Sequence, residues 1–226
     1  MIKQILWKVG ILSALIALGV FGINTAYAAS TPQFNQTVNA GTFAGDIVDA
    51  SFETVASPAV AMVDATFSYS CETATGTLGT TTEQIYISNP NDALGGWSAT
   101  IAADATTAVW DAAGAGADYD FNDASGSGCT DGADADSLGG QMTVNASGAT
   151  LAVGQDADTL LTNITKGSST AFVEGSANSV TLLTATDASD DIGDWTLQGV
   201  SISQKVPAEQ PADSYTINMV ITFTKV

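Results

Sequence analysis

From Tyr215 to Phe223 every second residue is apolar. Tyr215, Ile217, Met219, Ile221 and Phe223 fall on one face, with Thr216, Asn218, Thr222 and Thr224 on the other. That alternation is the period of a strand with one face buried. Ala65, Phe67, Tyr69 and Cys71 repeat it, separated by Thr66, Ser68 and Ser70, and predict another strand. Ile85 and Ile87 lead into the turn-rich run Ser88-Asn89-Pro90-Asn91-Asp92 and then Gly95-Gly96. Trp97, Ala99 and Ile101 follow, which predicts a returning strand and a hairpin. Further strands are expected over 141–144, 149–153, 179–184 and 195–206. In the last of these the apolar phase slips from Trp195 and Leu197 to Val200 and Ile202. Gly199 sits at the slip, which predicts a β-bulge.

No stretch after the first 28 residues sustains a helical period, and many short strands joined by Gly, Asp and Asn turns favour two packed sheets. The expected fold is all-β: a single antiparallel β-sandwich over 59–226, immunoglobulin-like in architecture. Residues 29–58 are small and polar around Phe34, Val38, Phe43 and Ile47, and are expected to form an N-terminal arm or an edge strand. Residues 111–140 are rich in Gly, Ala and Asp and are expected to be one long loop, a length that usually carries function or organises a metal. Trp97 and Trp195 lie in phase with their apolar faces and belong to the core. Trp110, beside Asp111 at the edge of the loop, is the aromatic expected to be exposed.

The first 28 residues change the picture of where the chain acts. Lys3 and Lys8 precede the apolar run Val9 to Ile23, and Ala26-Tyr27-Ala28 supplies a small-x-small cleavage pattern. That is the organisation of a secretory signal peptide, and the run is shorter than the roughly 20 residues of a membrane span. Cys71 and Cys129 are the natural disulfide pair in the oxidising compartment such a leader implies. The loop they would close is worth roughly 4 kcal/mol in the chain-entropy account.

Charge narrows the chemistry. Beyond the leader the chain holds no histidine and no arginine, and its cations are Lys166, Lys205 and Lys225 against 24 carboxylates, a formal charge of −21. The usual proton shuttle at neutral pH is missing, as is the bidentate clamp for phosphate. Serines and threonines have no histidine to activate them. A non-catalytic protein that avoids nucleic acid is the expectation. Paired carboxylates are what a glycosidase needs, so hydrolysis of a wall glycan stands third among the functional readings.

The densest constellation is in the loop. Asp118, Asp120, Asn122, Asp123, Asp131, Asp134 and Asp136 lie close together, with Cys129 among them. Calcium prefers six to eight oxygens of this kind. Asp118-x-Asp120-x-Asn122 matches the start of an EF-hand loop, but Asp123 stands where its glycine is needed and Cys129 where its glutamate is needed. A looser calcium site and a solvated acidic loop are both open. Asp187, Asp190, Asp191 and Asp194 form a second acidic group before Trp195, read either as a further cation site or as a polar turn.

Two segments resemble the WxL family of bacterial cell-surface proteins. Ile85-Tyr86-Ile87-Ser88-Asn89 followed by Gly96-Trp97-Ser98-Ala99 corresponds to its isoleucine-bearing strand and Gly-Trp-x-Leu. Pro207-Ala208-Glu209-Gln210-Pro211 followed by Tyr215 to Lys225 corresponds to its proline-rich turn and final strand. Ala99 replaces the family's leucine, and Phe223 with Lys225 stands where the last Trp and Leu would be. The chain is also similar to secreted, Asp-rich proteins of candidate-phylum bacteria that carry a loop like Gly128–Ser137 and a turn like Pro207–Tyr215. The resemblance implies a WxL-like sandwich held non-covalently to a cell-wall polymer or assembled with other surface proteins, a second copy of itself included. The functional expectation is a secreted protein acting by binding or assembly at the cell envelope. A subunit of a surface fibre or layer, built by strand exchange through 29–58, is the alternative.

Overall fold

The computed structural model describes residues 33, 35–39, 41–90, 95–132, 137–186 and 192–225. Asn39–Val226 forms one compact unit, while the described residues before it are exposed and lie in no regular element. The strands among the described residues run β1 (Ala44–Val48), β2 (Glu72–Leu78), β3 (Gln84–Asn89), β4 (Trp97–Ala103), β5 (Asp111–Ala112), β6 (Gln141–Asn145), β7 (Thr150–Val153), β8 (Ile164–Lys166), β9 (Thr170–Ala171), β10 (Val180–Ala185), β11 (Gly193–Gln198), β12 (Val200–Val206), β13 (Tyr215–Thr216) and β14 (Met219–Lys225). They pair antiparallel in four sheets, in the orders β1-β3-β11-β7, β2-β12-β6-β9, β14-β4-β10-β8 and β13-β5.

The first two sheets are halves of one layer. β11 continues into β12 through Gly199, whose φ of +80° favours a residue without Cβ, and Gly199 N donates to Gly79 O at 2.7 Å. β3 follows β2 and β7 follows β6 across the same crease. The slip in apolar phase at Gly199 is therefore where a long strand passes from one sheet to the next. The register shift typical of a bulge lies instead in β10, between Thr181 and Leu183, where Leu182 and Leu183 are both buried. The other layer is β14-β4-β10-β8, with β13-β5 beside it. The layers meet at Trp97 of β4 and Trp195 of β11, both 0% exposed, with ring centroids 5.1 Å apart. The arrangement is an all-β, sandwich-like fold.

The alternation of β14 is realised: Met219, Ile221 and Phe223 are half-buried against the core while Val220, Thr222 and Thr224 face out. Two expectations are overturned. The strands around Ile85 and Trp97 make no hairpin. β3 pairs with β1 and β11, and β4 pairs with β10 and β14, so the connection crosses from one layer to the other. Its Asn91 and Asp92 lie outside the described residues. The run Ala65–Cys71 is no strand either, because the ladder of β2 begins at Glu72, opposite Val206. The next residue on the partner side is Pro207, which has no N–H to continue the ladder.

In the arm, Ala44–Val48 is β1, the edge strand on β3. The loop 111–140 is more ordered than its composition suggests. It contains β5, a 3₁₀ turn at Ser125–Ser127, and two core anchors, Tyr119 and Phe121. Phe121 N–H and C=O alternate with a carboxylate and the sheet, its C=O accepting from Met142 N at 2.6 Å, and its ring packs on Phe172 at 5.2 Å. The three lysines past residue 28 all lie in strands: Lys166 in β8, Lys205 in β12 and Lys225 in β14.

Cys71 and Cys129 are joined across a sequence separation of 58, with Cα atoms 5.7 Å apart. The bridge ties the residue before β2 to the acidic loop. Replacing both cysteines by serine is expected to remove about 4 kcal/mol of stability through the freed unfolded chain. The midpoint of urea unfolding measures it, and an unchanged midpoint would contradict this role.

Candidate functional site

The described carboxylates of the acidic loop do not converge. Asp118 accepts a hydrogen bond from Ala112 N at 2.9 Å, and buried Asp120 accepts one from Phe121 N at 2.6 Å. Asp123 accepts from Ser125 N at 2.8 Å and from Gly132 N at 2.5 Å. Asn122 donates through Nδ2 to Thr106 O at 3.1 Å, and Asp131 is exposed. Asp134 and Asp136 lie outside the described residues. Among the described residues no group of three or more His, Cys, Asp or Glu side chains is gathered to hold a metal. Asp118, Asp120 and Asp123 each close a short stretch of the loop's backbone, and Asn122 ties the loop to the segment before Trp110. At its end Gly140, φ +141°, leaves room for the Asp120 backbone, where a Cβ would come within 2.0 Å of the Asp120 oxygen.

The second acidic group behaves in the same way at its one described member. Asp194, 5% exposed, accepts from Tyr86 Oη at 2.8 Å, Gln155 N at 2.7 Å, Asp156 N at 3.1 Å and Thr159 Oγ1 at 3.2 Å. Burial pushes its carboxyl upward, but the N–H groups of Gln155 and Asp156, then Tyr86 and Thr159, outweigh it and hold the group below the usual carboxylate range. Burial, and the bond to Asp194, raise the Tyr86 phenol in turn. Asp194 thus fixes the segment 154–160 onto β11. Asp187, Asp190 and Asp191 lie outside the described residues.

The concavity with convergent chemistry is elsewhere. A cleft of about 570 Å³ opens between the strandless segment 60–68, the start of β2 and the turn 207–215. Its floor is aromatic. Trp110 and Tyr119 stack with centroids 5.8 Å apart and planes 9° apart, and Tyr119 meets Tyr215 edge to face at 5.0 Å. Trp110 is only 8% exposed, which corrects its expected exposure. The reason is that Tyr119, eight residues into the loop, folds back and bridges it, with Trp110 N donating to Tyr119 O at 2.7 Å. Phe67, 51% exposed, stands on the rim and contacts Tyr69, 81% exposed, edge to face at 5.4 Å.

The proline-rich turn is locked onto the loop. Tyr215 Oη donates to Pro211 O at 2.6 Å, Gln210 Nε2 donates to Ala117 O, and Glu209 N donates to Ser68 O at 2.8 Å. Asp213 accepts from Gly116 N at 2.9 Å, Ser214 N at 2.8 Å and Gly114 N at 3.1 Å. The Gly116 bond foremost, then that of Ser214, keeps its carboxyl below the usual range against a small desolvation. Burial, and secondarily Tyr215, push the Tyr119 phenol well upward, so it stays a neutral hydroxyl.

Two buried atoms in the cleft's walls stand out. Gln204, 0% exposed, donates through Nε2 to Asp120 O at 2.9 Å and Lys205 O at 2.8 Å. Two carbonyl partners assign that end of the amide as nitrogen. Its Oε1 then has no donor among the described residues, and Trp110 Nε1 has no acceptor. Such atoms cost about 1–3 kcal/mol each when left without a partner. Sequence reasoning passed over Gln204. The available signal was its place in the apolar phase of β12, after Val200 and Ile202 and before Val206. The cleft's lining also includes Asp64, Glu72 and Asp213, and it holds no lysine, histidine or cysteine.

Comparison of the chain with protein-family models, with curated proteins and with solved structures returns no match.

Asp194→Asn is expected to cost about 2–3 kcal/mol at neutral pH, because the amide nitrogen would face backbone donors. The wild-type carboxyl titrates lower when folded than when unfolded. Its contribution is therefore complete above the unfolded value of about 3.9 and is lost as the pH falls through the lower folded value. Urea unfolding at pH 7 and pH 3 checks this: the gap between wild type and variant narrows in acid, and a constant gap would count against it.

Proposed function

We propose that this chain is a secreted, non-catalytic protein of the bacterial cell surface that works by binding at the cell envelope, with the aromatic cleft as its binding site. The observation that carries the reading is the cleft itself, a concavity of ligand size floored by the stacked rings of Trp110 and Tyr119 with Phe67 exposed at its rim. The signal-peptide pattern and the disulfide support an oxidising compartment outside the cell. Among the described residues no helix is long and apolar enough to cross a membrane. The missing histidine and arginine favour binding over catalysis. The resemblance to WxL proteins points to a cell-wall polymer or other surface proteins as the partner.

A second reading, a subunit of a surface fibre or layer, is favoured by β1. It is the edge strand on β3, its other side bridged only at its C-terminal end, Val48 to Thr54, and it follows a stretch, 29–43, that carries no charge. An edge strand of this kind is the element that copies exchange when they polymerise.

Fractionation of washed cells tests the reading. The protein is expected to remain with the envelope and to be released by salt or by digestion of the wall, and to run as a monomer once released. Recovery from the culture medium alone would overturn envelope binding, and filaments in electron micrographs of the released protein would establish the second reading. The calcium reading of the loop is decided beside it. A melting temperature lowered by chelator and by Asp120→Ala supports it, and identical melting with calcium and with chelator removes it.

A further inference from the structure

Of the described edge strands, all but β14 are blunted against pairing with another chain. β1 carries Asp46 and is bridged on its far side from Val48 to Thr54. β2 carries Glu72 and is bridged from Gly76 to Met62, with Val63 N donating to Thr75 O at 2.7 Å. β7, β8 and β9 hold only four, three and two residues, and β5 and β13 two each. β14 has seven residues, no proline, and no charge before Lys225 at its last position.

The register shows what this edge offers. Asp104 N donates to Asn218 O at 3.2 Å, which makes those two a hydrogen-bonded pair. Such pairs recur at every second residue of an antiparallel ladder, so Val220, Thr222 and Thr224 are the residues that bond to β4. The N–H and C=O groups of Met219, Ile221 and Phe223 point the other way, and among the described residues no strand pairs with that side. The side chains of the same three residues are half-buried against the core. Met219 and Ile221 line a mostly apolar cavity of about 380 Å³ together with Ile47, Val60 and Met62. At the other end Gly45 of β1 lies on the Phe223 ring, where a Cβ would come within 2.4 Å of it. A strand laid along β14 would therefore gain main-chain bonds and apolar surface together.

We infer that the free edge of β14 accepts residues 34–40 of a second copy of this chain as an added strand. The inference rests on the assembly reading above and names the acceptor that it needs. Phe34, Val38 and Ala40 fall on one face of that stretch, with Gln36 among them, and Asn35, Thr37 and Asn39 on the other. Its seven residues match the seven of β14, about 24 Å of strand on each side. It holds no charge, proline or glycine, the composition of segments that pair edge to edge. Residues 35–39 are exposed and lie in no regular element, Val38 at 84%. Gly41 N donates to Pro90 O at 3.3 Å, which anchors the stretch to the body of its own chain just behind the donated strand.

Charge selects this occupant. Past residue 28 each copy has a formal charge of −21, so two copies repel except where neutral strips meet. Residues 29–43 and Met219 to Thr224 are two such strips. Dilute copies at low salt stay single, and crowding or added salt favours pairing. Donor strand and acceptor edge are different parts of the chain, so the contact is heterologous, the kind that builds chains or rings of copies.

Sedimentation velocity of the purified chain from residue 29 onward, over a concentration series at low and molar salt, tests the assignment. Association is expected to grow with concentration and with salt. Val38→Asp places a charge in the donated strand and changes an exposed side chain outside every strand. Ile221→Pro removes an outward N–H of the acceptor edge without taking a bond from β4. Each is expected to weaken self-association roughly tenfold or more. Mixed together, the two variants are expected to form a pair that grows no further, since one then only accepts and the other only donates. If Ile221→Pro fails to fold, anisotropy of a labelled peptide of residues 33–43 on the wild-type chain reads the acceptor directly. That peptide is expected to bind, and its Val38→Asp form is expected not to. Association that survives both substitutions, or folded wild type that stays single at molar salt and ignores the peptide, would overturn the inference. Filaments on cells that make the Ile221→Pro chain would sink it while leaving the fibre reading standing. Pairing through this edge in solution, with no assemblies on cells, would sink the fibre reading alone.

Discussion

Backbone N–H groups do in this fold what cations do in most, because past residue 28 the chain holds 24 carboxylates and three lysines. Asp194 gathers Gln155 and Asp156, Asp123 gathers Ser125 and Gly132, and Asp213 gathers Gly114, Gly116 and Ser214. A charge-assisted bond of this kind is short and directional, so a carboxylate can be satisfied only if the backbone comes to it. Each such Asp therefore closes a loop. The lysines of β8 and β12 do not compete: Lys166 reaches the Ala149 carbonyl at 2.6 Å and Lys205 the Thr73 hydroxyl at 3.0 Å. The connections of the sandwich are shaped by its acidity rather than merely decorated with it.

That constraint explains which parts of the molecule were legible in the sequence. Strands with one buried face announce themselves by alternation, and those of β14, β4, β11 and β12 stand where the pattern places them. What alternation cannot encode is the partner. β3 and β4 look like a hairpin because a turn-rich run joins them, yet the contact between Trp97 and Trp195 needs them in opposite layers. The run Ala65–Cys71 alternates as well as any strand, but Pro207 ends the ladder that would receive it. Of the rings that alternation would have buried, Phe67 stands exposed on the rim of the cleft, with Tyr69 against it.

The candidate site was legible only in fragments for a related reason. Composition drew attention to the loop's carboxylates, since charge is visible residue by residue. The cleft depends on long-range closure: Tyr119 folding back on Trp110, Tyr215 arriving from the far end of the chain, and segment 60–68 lying beyond the edge of β2. Trp110 also borders a second, more apolar cavity of about 380 Å³, whose walls include Ile101, Met142, Ile202 and Ile221. One indole thus lines both concavities. Gln204 is a polar residue in the apolar phase of β12, and its Oε1 finds no donor among the described residues.

The placement of the lysines has a consequence for resistance to proteolysis. A tryptic protease cuts after lysine or arginine, and past residue 28 this chain offers it three bonds. Lys166 and Lys205 lie in β8 and β12, where the backbone is committed to neighbouring strands and enters an enzyme's groove only when the sheet opens, and Lys225 ends β14. The long acidic loops, which in most proteins are the first to be nicked, contain no such bond among residues 111–140. A charge composition so short of lysine and arginine makes the chain a poor substrate for one large class of digestive enzymes.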